Sequence, residues 1–205
     1  MKLSRLIASA ALVAGAALAI DLYRPTETSL RKFDGHEVGR LETEMWRNYY
    51  DHRQLALFSN LAYTHRLQFG QSWTRAYVTA YYAARAAFKF QQGHTRADYR
   101  KALPPLQTYY ESVLPAGSNI KRVAELELEW WILHRERAGE PLDRALADLQ
   151  AEIYQLPAAS VAGHARLRAE AMRLCDAGGD WGKIGELLDA SWTALSVAVN
   201  QTSRR

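Results

Sequence analysis

RVAELELEWWILHRER, residues 122–137, is the stretch around which the rest of the chain is organised. Its apolar residues return at intervals of three and four, which is the spacing of one face of an α-helix. That face holds Val123, Leu126, Trp130 and Leu133, and the neighbouring face holds Ile120, Ala124, Glu127, Trp131 and His134. We therefore predict a central helix from about Ile120 to Ala138 that carries two polar side chains, Glu127 and His134, at or beside the core.

Similar spacing runs through the remaining sequence, and no stretch alternates apolar and polar residues for long. The longest predicted helices run from Asp34 to Gly70 and from Ser72 to Gly93. The second is expected to pack through a stripe that holds Trp73, Tyr77, Ala80, Tyr81, Ala84 and Phe88. Pro104 and Pro105 predict a kink or break in the next helical segment. The fold class is therefore predicted to be all-α, an antiparallel bundle of about six or seven helices.

The N-terminus has the pattern of an export signal or a membrane anchor. Lys2 and Arg5 precede the uninterrupted apolar run LIASAALVAGAALAI, residues 6–20. The run is short for a comfortable transmembrane helix, and residues 17–19 offer a small-x-small cleavage site, so both a cleaved signal and a retained span stay open. We predict a signal or anchor in residues 1–22, a linker in 23–33 and a single helical domain in 34–205. The domain is expected in the cell envelope, anchored outside the cytoplasm, or periplasmic or secreted after cleavage.

Composition bounds the function further. The chain has 205 residues and a net charge of +4, with basic and acidic residues intermixed, so we expect no nucleic-acid partner. Its lone cysteine, Cys175, excludes an internal disulfide and lies on an apolar helical line, which favours a core residue over a nucleophile. The nucleotide-binding and hydrolase motifs with a defined mechanism are missing, so neither a catalytic residue nor a cofactor is predicted.

Several charged or polar side chains share helical faces with apolar residues and are candidates for a buried network. They are Glu42, His52, Arg85, Glu127, His134, His164 and Arg168. His36, His65 and His94 lie near helix ends and are predicted to face solvent. Because an unpaired buried charge costs several kcal/mol, we expect the candidates to form ion pairs between helices.

A metal site inside the bundle is the sharper alternative, with Glu42, Glu127 and His134 as its candidate ligands. Glu127 and His134 are seven residues apart, or roughly 10 Å along a helix axis. The Glu-x-x-His pattern of di-iron bundles does not occur in the sequence. These two facts favour the structural interpretation over a metal site.

One segment has a faint likeness to a known repeat. Tyr81, Ala84 and Phe88, followed by Asp98, Tyr99, Ala102 and Leu103, resemble one tetratricopeptide helix pair. The likeness covers about a fifth of the chain and has no second copy at the repeat period of about 34 residues. It implies helical-hairpin packing and, as an alternative function, a peptide-binding surface.

Taken together, these features predict an envelope-associated, non-catalytic module for protein interaction or structural support. Its expected partners are the membrane, through an uncleaved N-terminal segment, and another protein. A metal-binding or enzymatic bundle and a tetratricopeptide-like peptide binder are the alternatives.

Overall fold

A computed structural model of the chain describes residues 2–23, 30–137 and 139–201. The described residues contain no β-strand, which confirms the all-α prediction. The helices are α1 (Lys2–Tyr23), α2 (Gly35–Tyr50), α3 (Gln54–Phe69), α4 (Trp73–Gln91), α5 (Arg96–Tyr99), α6 (Leu103–Val113), α7 (Ile120–Arg135), α8 (Glu140–Tyr154), α9 (Ala158–Asp176) and α10 (Trp181–Gln201). A short 3-10 turn, Arg100–Ala102, joins α5 to α6.

Side chains cap the N-termini of several helices, because the first backbone N–H groups of a helix have no acceptor within the helix. The Asp34 carboxylate accepts from the N–H groups of His36 and Glu37. Ser72 and Thr95 cap α4 and α5 in the same way. Pro104 and Pro105 lie in the first turn of α6, so the predicted break falls just ahead of them.

The helix predicted from Asp34 to Gly70 is in fact two helices. His52 adopts a left-handed backbone conformation with φ 56°. The N–H of Arg53 bonds to the carbonyl of Asn48 at 2.8 Å, and the N–H of His52 bonds to Tyr49 at 3.2 Å. This pair of bonds is a Schellman motif, which usually has glycine at the left-handed position. Because histidine occupies it here, the sequence carried no obvious stop signal.

The helices pack mainly on their neighbours in the chain, with α4 packing on α6, and α10 packs on α2. The last helix therefore returns to pack on the second one. Glycine makes the closing contact possible: a Cβ atom on Gly39 of α2 would come within 2.8 Å of the Cα atom of Asp189 in α10. Helices approach this closely only where one of them lacks a side chain.

One side of the central helix α7 is buried, as its pattern predicts. Val123, Leu126 and Trp130 are each at most 8% exposed. Its other glutamates lie toward solvent: Glu125 is exposed, and Glu129 shares the guanidinium of Arg96 with Glu136 beyond the end of the helix. The sequence pattern thus separated the inner and outer glutamates of this helix.

The outer face of α4 differs from its prediction. Trp73, Tyr77, Tyr81 and Phe88 are 41 to 59% exposed, although their spacing marked them as the packing stripe. Ala80 of the predicted stripe is buried, and the other buried residues of α4 are Ala76, Thr79, Ala86 and Phe90. Small side chains thus form most of the inner face, and large aromatic side chains form the outer one.

Helix α1 is long and apolar enough to be a signal or an anchor. Its window from Arg5 to Leu22 has a mean hydropathy of 1.8, and none of that window is buried against the rest of the chain. Its end contacts the start of α4: the Ser72 hydroxyl donates to the Asp21 carboxylate at 2.5 Å, and Arg75 Nε donates to the Asp21 carbonyl at 2.6 Å. The apolar helix therefore contacts α4 at its C-terminal end, and residues 5–20 are exposed.

Candidate functional site

A buried ion pair joins α2 to α9 inside the helical assembly. Arg168 Nη2 donates to Glu42 Oε1 at 2.6 Å, and Arg168 Nε donates to the same oxygen at 3.0 Å. Trp192 of α10 donates its indole N–H to Glu42 Oε2 at 2.5 Å. Glu42 is 2% exposed. These three residues, which we call the Glu42 cluster, satisfy both carboxylate oxygens and connect three helices.

Glu127 of α7 supplies a second carboxylate beside the Glu42 cluster. The Tyr110 hydroxyl of α6 donates to Glu127 Oε2 at 2.8 Å. Burial raises the pKa of Glu127 above its ordinary value, although the Tyr110 hydrogen bond and the charge of Arg168 oppose that rise. Burial and the Glu127 charge likewise raise the pKa of Tyr110 well above its usual range. Tyr110 therefore keeps its hydroxyl proton near neutral pH and donates it in this hydrogen bond.

Arg168 pairs with Glu42 and interacts electrostatically with Glu127. Burial would lower the pKa of its guanidinium, but Glu42, and then Glu127, outweigh burial and leave that pKa raised. The guanidinium also lies 5.4 Å from the ring centre of Trp130 and 5.9 Å from that of Trp192. Arg168 thus stays charged among aromatic rings, as a cation–π contact favours.

His164 is buried one turn before Arg168 on α9, beside the Glu42 cluster. Its Nδ1 lies 2.8 Å from the Ser191 hydroxyl and 3.1 Å from the Ser191 carbonyl. Burial, followed by the charge of Arg168, lowers the pKa of His164 to about 3. The imidazole is therefore neutral and ties α9 to α10.

His65 is buried, contrary to the expectation that it faces solvent. It is 2% exposed, and its Nε2 lies 3.2 Å from the Tyr109 hydroxyl. Burial lowers its pKa to about 3, so this histidine is also neutral. One helical turn away, Gln68 donates to the Tyr154 hydroxyl at 3.1 Å. Polar side chains therefore line the inner side of α3.

Two candidates lie outside the buried cluster, and their expected burial is corrected. His52 is exposed at the turn between α2 and α3, and Arg85 is exposed on the outer face of α4. Their apolar flanks are exposed as well: Tyr49 is 57% exposed beside His52, and Tyr81 is 53% exposed beside Arg85.

His134 also lies apart from Glu42 and Glu127. Its Nε2 is 2.8 Å from Asp176 Oδ2, and the Tyr50 hydroxyl donates to the other carboxylate oxygen of Asp176 at 2.6 Å. His134 therefore belongs to a half-buried chain of three polar groups at the surface.

The three candidate metal ligands do not converge. Glu42 binds Arg168 and Trp192, whereas His134 binds Asp176 at the surface. Across the described ranges, no three or more His, Cys, Asp or Glu side chains come together in a way that could hold a metal ion.

Two residues that hydrogen-bond to the buried carboxylates cannot be identified from the sequence. Trp192 and Tyr110 sit among apolar residues on their helices, and nothing in the spacing distinguishes a hydrogen-bonding aromatic from a packing one. Their polar atoms become recognisable only once a carboxylate from another helix is placed beside them.

Comparisons with protein-family models, with curated proteins and with solved structures give no match to this chain.

Proposed function

We propose that this chain is a membrane-anchored, non-catalytic helical module of the cell envelope that binds another protein. In this proposal α1 stays attached and holds the domain outside the cytoplasm. Its apolar window is unburied, and its end is fastened to α4 through Asp21, so the domain would be held close to the bilayer surface.

The observation that carries the binding role is an exposed aromatic surface where α2 ends and α10 begins. This surface, the Tyr49 patch, consists of Arg47, Tyr49, Tyr50 and Trp181. The rings of Tyr49 and Tyr50 lie 5.5 Å apart, and those of Tyr50 and Trp181 lie 6.2 Å apart. Arg47 lies 5.3 Å from the Trp181 ring centre. Tyrosine, tryptophan and arginine are the residues that most often dominate the binding energy of protein interfaces.

One member of the Tyr49 patch, Tyr50, is also held in place before any partner binds. Tyr50 is bonded to Asp176 of α9, which is bonded in turn to His134 of α7. A side chain fixed in advance loses less conformational entropy on binding, so more of its contact energy contributes to affinity.

The buried cluster supports a structural role for the polar network. Glu42, Arg168 and Trp192 satisfy one another, and His164 is hydrogen-bonded to Ser191. Their geometry fixes the register of α2, α9 and α10. The Ser191 hydroxyl lies 2.8 Å from His164, but Ser191 is 0% exposed and His164 is 1% exposed, which favours a structural contact over a reactive one.

Two measurements test the proposal. The intact mass of the chain from membranes should include the residues of α1, whereas a mature chain that begins after Ala19 would refute the anchor. After gentle detergent extraction, a stoichiometric protein partner should co-purify with the natural sequence and be lost with Tyr49→Ala.

Val197→Ala is the matched control, because Val197 is 48% exposed and lies outside the Tyr49 patch. Loss of the partner with both variants, or with neither, would refute the assignment of the binding surface to the Tyr49 patch.

A further inference from the structure

The outer face of the α3–α4 pair carries a row of aromatic side chains. Tyr63 stacks on Trp73 at 6.1 Å, Trp73 on Tyr77 at 6.0 Å, and Tyr77 contacts Phe58 at 5.8 Å. Tyr81 continues the row one turn further along α4 and is 53% exposed. We call these five residues the α3–α4 aromatic face. Four of them, Phe58, Tyr63, Trp73 and Tyr77, pack on one another. The exposed area of this face is large enough for a bilayer or another molecule to cover it.

This face begins where α1 ends. Asp21 is the first charged residue after the apolar run, so in a spanning α1 it marks the boundary between hydrocarbon and headgroups. Ser72 and Arg75 both bond to Asp21 and therefore lie at the same depth. Trp73 lies between them in sequence and is 49% exposed. The start of the α3–α4 aromatic face is thus at headgroup level by direct contact with the anchor.

The charge of this pair of helices fits an anionic surface. No aspartate or glutamate occurs between Asp51 and Asp98. The basic residues of α3 and α4 are Arg66, Arg75, Arg85 and Lys89. Each lysine or arginine near an anionic bilayer adds to its electrostatic attraction to the surface. A face without any negative charge avoids the repulsion that would oppose this attraction.

Aromatic and basic groups are interleaved in the way that suits the interface of a bilayer. The guanidinium of Arg66 lies 4.5 Å from the ring centre of Trp73. Tryptophan and tyrosine concentrate at membrane–water interfaces because their rings are apolar and their N–H or O–H groups are polar. Arginine keeps its stem on the apolar side and its charge among the headgroups.

We propose that the α3–α4 aromatic face rests in the headgroup region of an anionic bilayer, beside the point where α1 enters it. This inference depends on the anchor of the proposed function. The domain is then attached at two places, by the α1 span and by this face, and its orientation to the bilayer is fixed. The Tyr49 patch would remain available for a protein partner.

The test measures depth in the bilayer with the full chain. A Cys175→Ser background removes the natural thiol, and a nitroxide label is attached in turn to Ala11→Cys, Tyr81→Cys and Arg166→Cys. Position 11 lies in the apolar run, and position 166 is exposed on α9, which packs on α8 and α10. Each protein is reconstituted in vesicles of phosphatidylcholine with phosphatidylglycerol. Collision rates with oxygen and with a nickel chelate then report the depth of each label.

We expect position 11 at hydrocarbon depth, position 81 at headgroup depth and position 166 in water. Hydrocarbon depth at 11 with a water-like value at 81 would overturn this inference and leave the anchor intact. A water-like value at 11 would overturn the anchor and, with it, the inference. A label at 81 that is shielded from both reagents without lipid dependence would also overturn it and indicate a protein contact.

Charge provides a second readout. In vesicles of phosphatidylcholine alone, the label at 81 should move toward water, and Arg85→Glu should produce a shift in the same direction in the anionic vesicles. Arg144→Glu on α8 is the matched charge reversal and should leave the depth at 81 unchanged. Equal depth at 81 in all four conditions would contradict the electrostatic part of the proposal.

Discussion

Replacing Glu42 with glutamine tests the idea that the buried ion pair holds α2, α9 and α10 together. Glutamine preserves the shape of the side chain and one carbonyl acceptor but removes the charge. Arg168 would then lose the carboxylate that accepts two of its N–H groups, at 2.6 and 3.0 Å. Trp192 would keep an acceptor only if the new amide turned its oxygen toward the indole.

The expected cost follows from the surroundings of Arg168. Removing one partner of a buried ion pair destabilises a protein by about 3–5 kcal/mol. Here Glu127 lies close enough to raise the pKa of Arg168, so it compensates part of the stranded charge. We therefore expect the lower end, about 3 kcal/mol. For a domain of this size, that corresponds to a fall of roughly 6–12 °C in the thermal midpoint.

The assay is thermal unfolding of the full chain in mild detergent, followed by circular dichroism at the helical bands. Glu37→Gln is the matched control, since Glu37 lies on the same helix and pairs with Arg40 at the surface. An exposed pair of this kind contributes about 0–1 kcal/mol. A double variant, Glu42→Leu with Arg168→Met, should recover part of the lost stability, because it removes both members of the ion pair and leaves Glu127 with its Tyr110 hydrogen bond. Equal midpoints for Glu42→Gln and Glu37→Gln would refute the structural role.

Three further predictions concern single sites. His65 and His164 have folded pKa values of about 3, so two of the six histidine resonances in an NMR titration should stay neutral down to about pH 4.5. In the unfolded state both histidines become protonated near pH 6.5. As the pH falls from 6.5 toward 3, each of them therefore lowers the free energy of unfolding by up to about 1.4 kcal/mol per pH unit. Titration of all six histidines near pH 6.5 would contradict this prediction. Gly39→Ala should destabilise the chain by about 1–3 kcal/mol through its clash with α10, whereas Gly163→Ala, which meets nothing within 4 Å, should stabilise it by about 0.5–1 kcal/mol in the same unfolding assay. Burial raises the pKa of the Cys175 thiol to about 11, so at pH 8 iodoacetamide should label the folded chain far more slowly than the chain in denaturant, and equal rates would show the thiol to be accessible.

Helical spacing was informative wherever a helix buries a single face. Glu42 and Arg168 were identified because each lies between apolar residues that are in fact covered. The spacing could not tell which faces are covered, since that depends on whether another helix packs there. His52 and Arg85 also lie between large apolar residues, but those flanking residues are exposed. The spacing predicts burial for both, as it does for Glu42, yet both lie at the surface.

The hydrogen-bond donors to Glu42 and Glu127 could not be predicted from the sequence, for another reason. The hydrogen bonds from Trp192 to Glu42 and from Tyr110 to Glu127 depend on the tertiary arrangement. His65 lies near the end of α3, where exposure is the usual outcome, so its position predicts a solvent-facing side chain. The aromatic rings of Phe69 and Tyr109 cover it instead, at centroid distances of 5.8 and 5.5 Å.

The contact between α2 and α10 also imposes an order on folding. Glu42 meets Arg168 and Trp192, which follow it by 126 and 150 residues. Chains grow from the N-terminus, so α2 emerges during synthesis with its buried carboxylate unpaired and its glycine-lined face uncovered. That face can close only after α10 has been made, at a high cost in loop-closure entropy for an all-helical protein. We therefore expect α3 to α8 to assemble first through neighbouring contacts, with α2 and α10 joining last as the step that completes the fold.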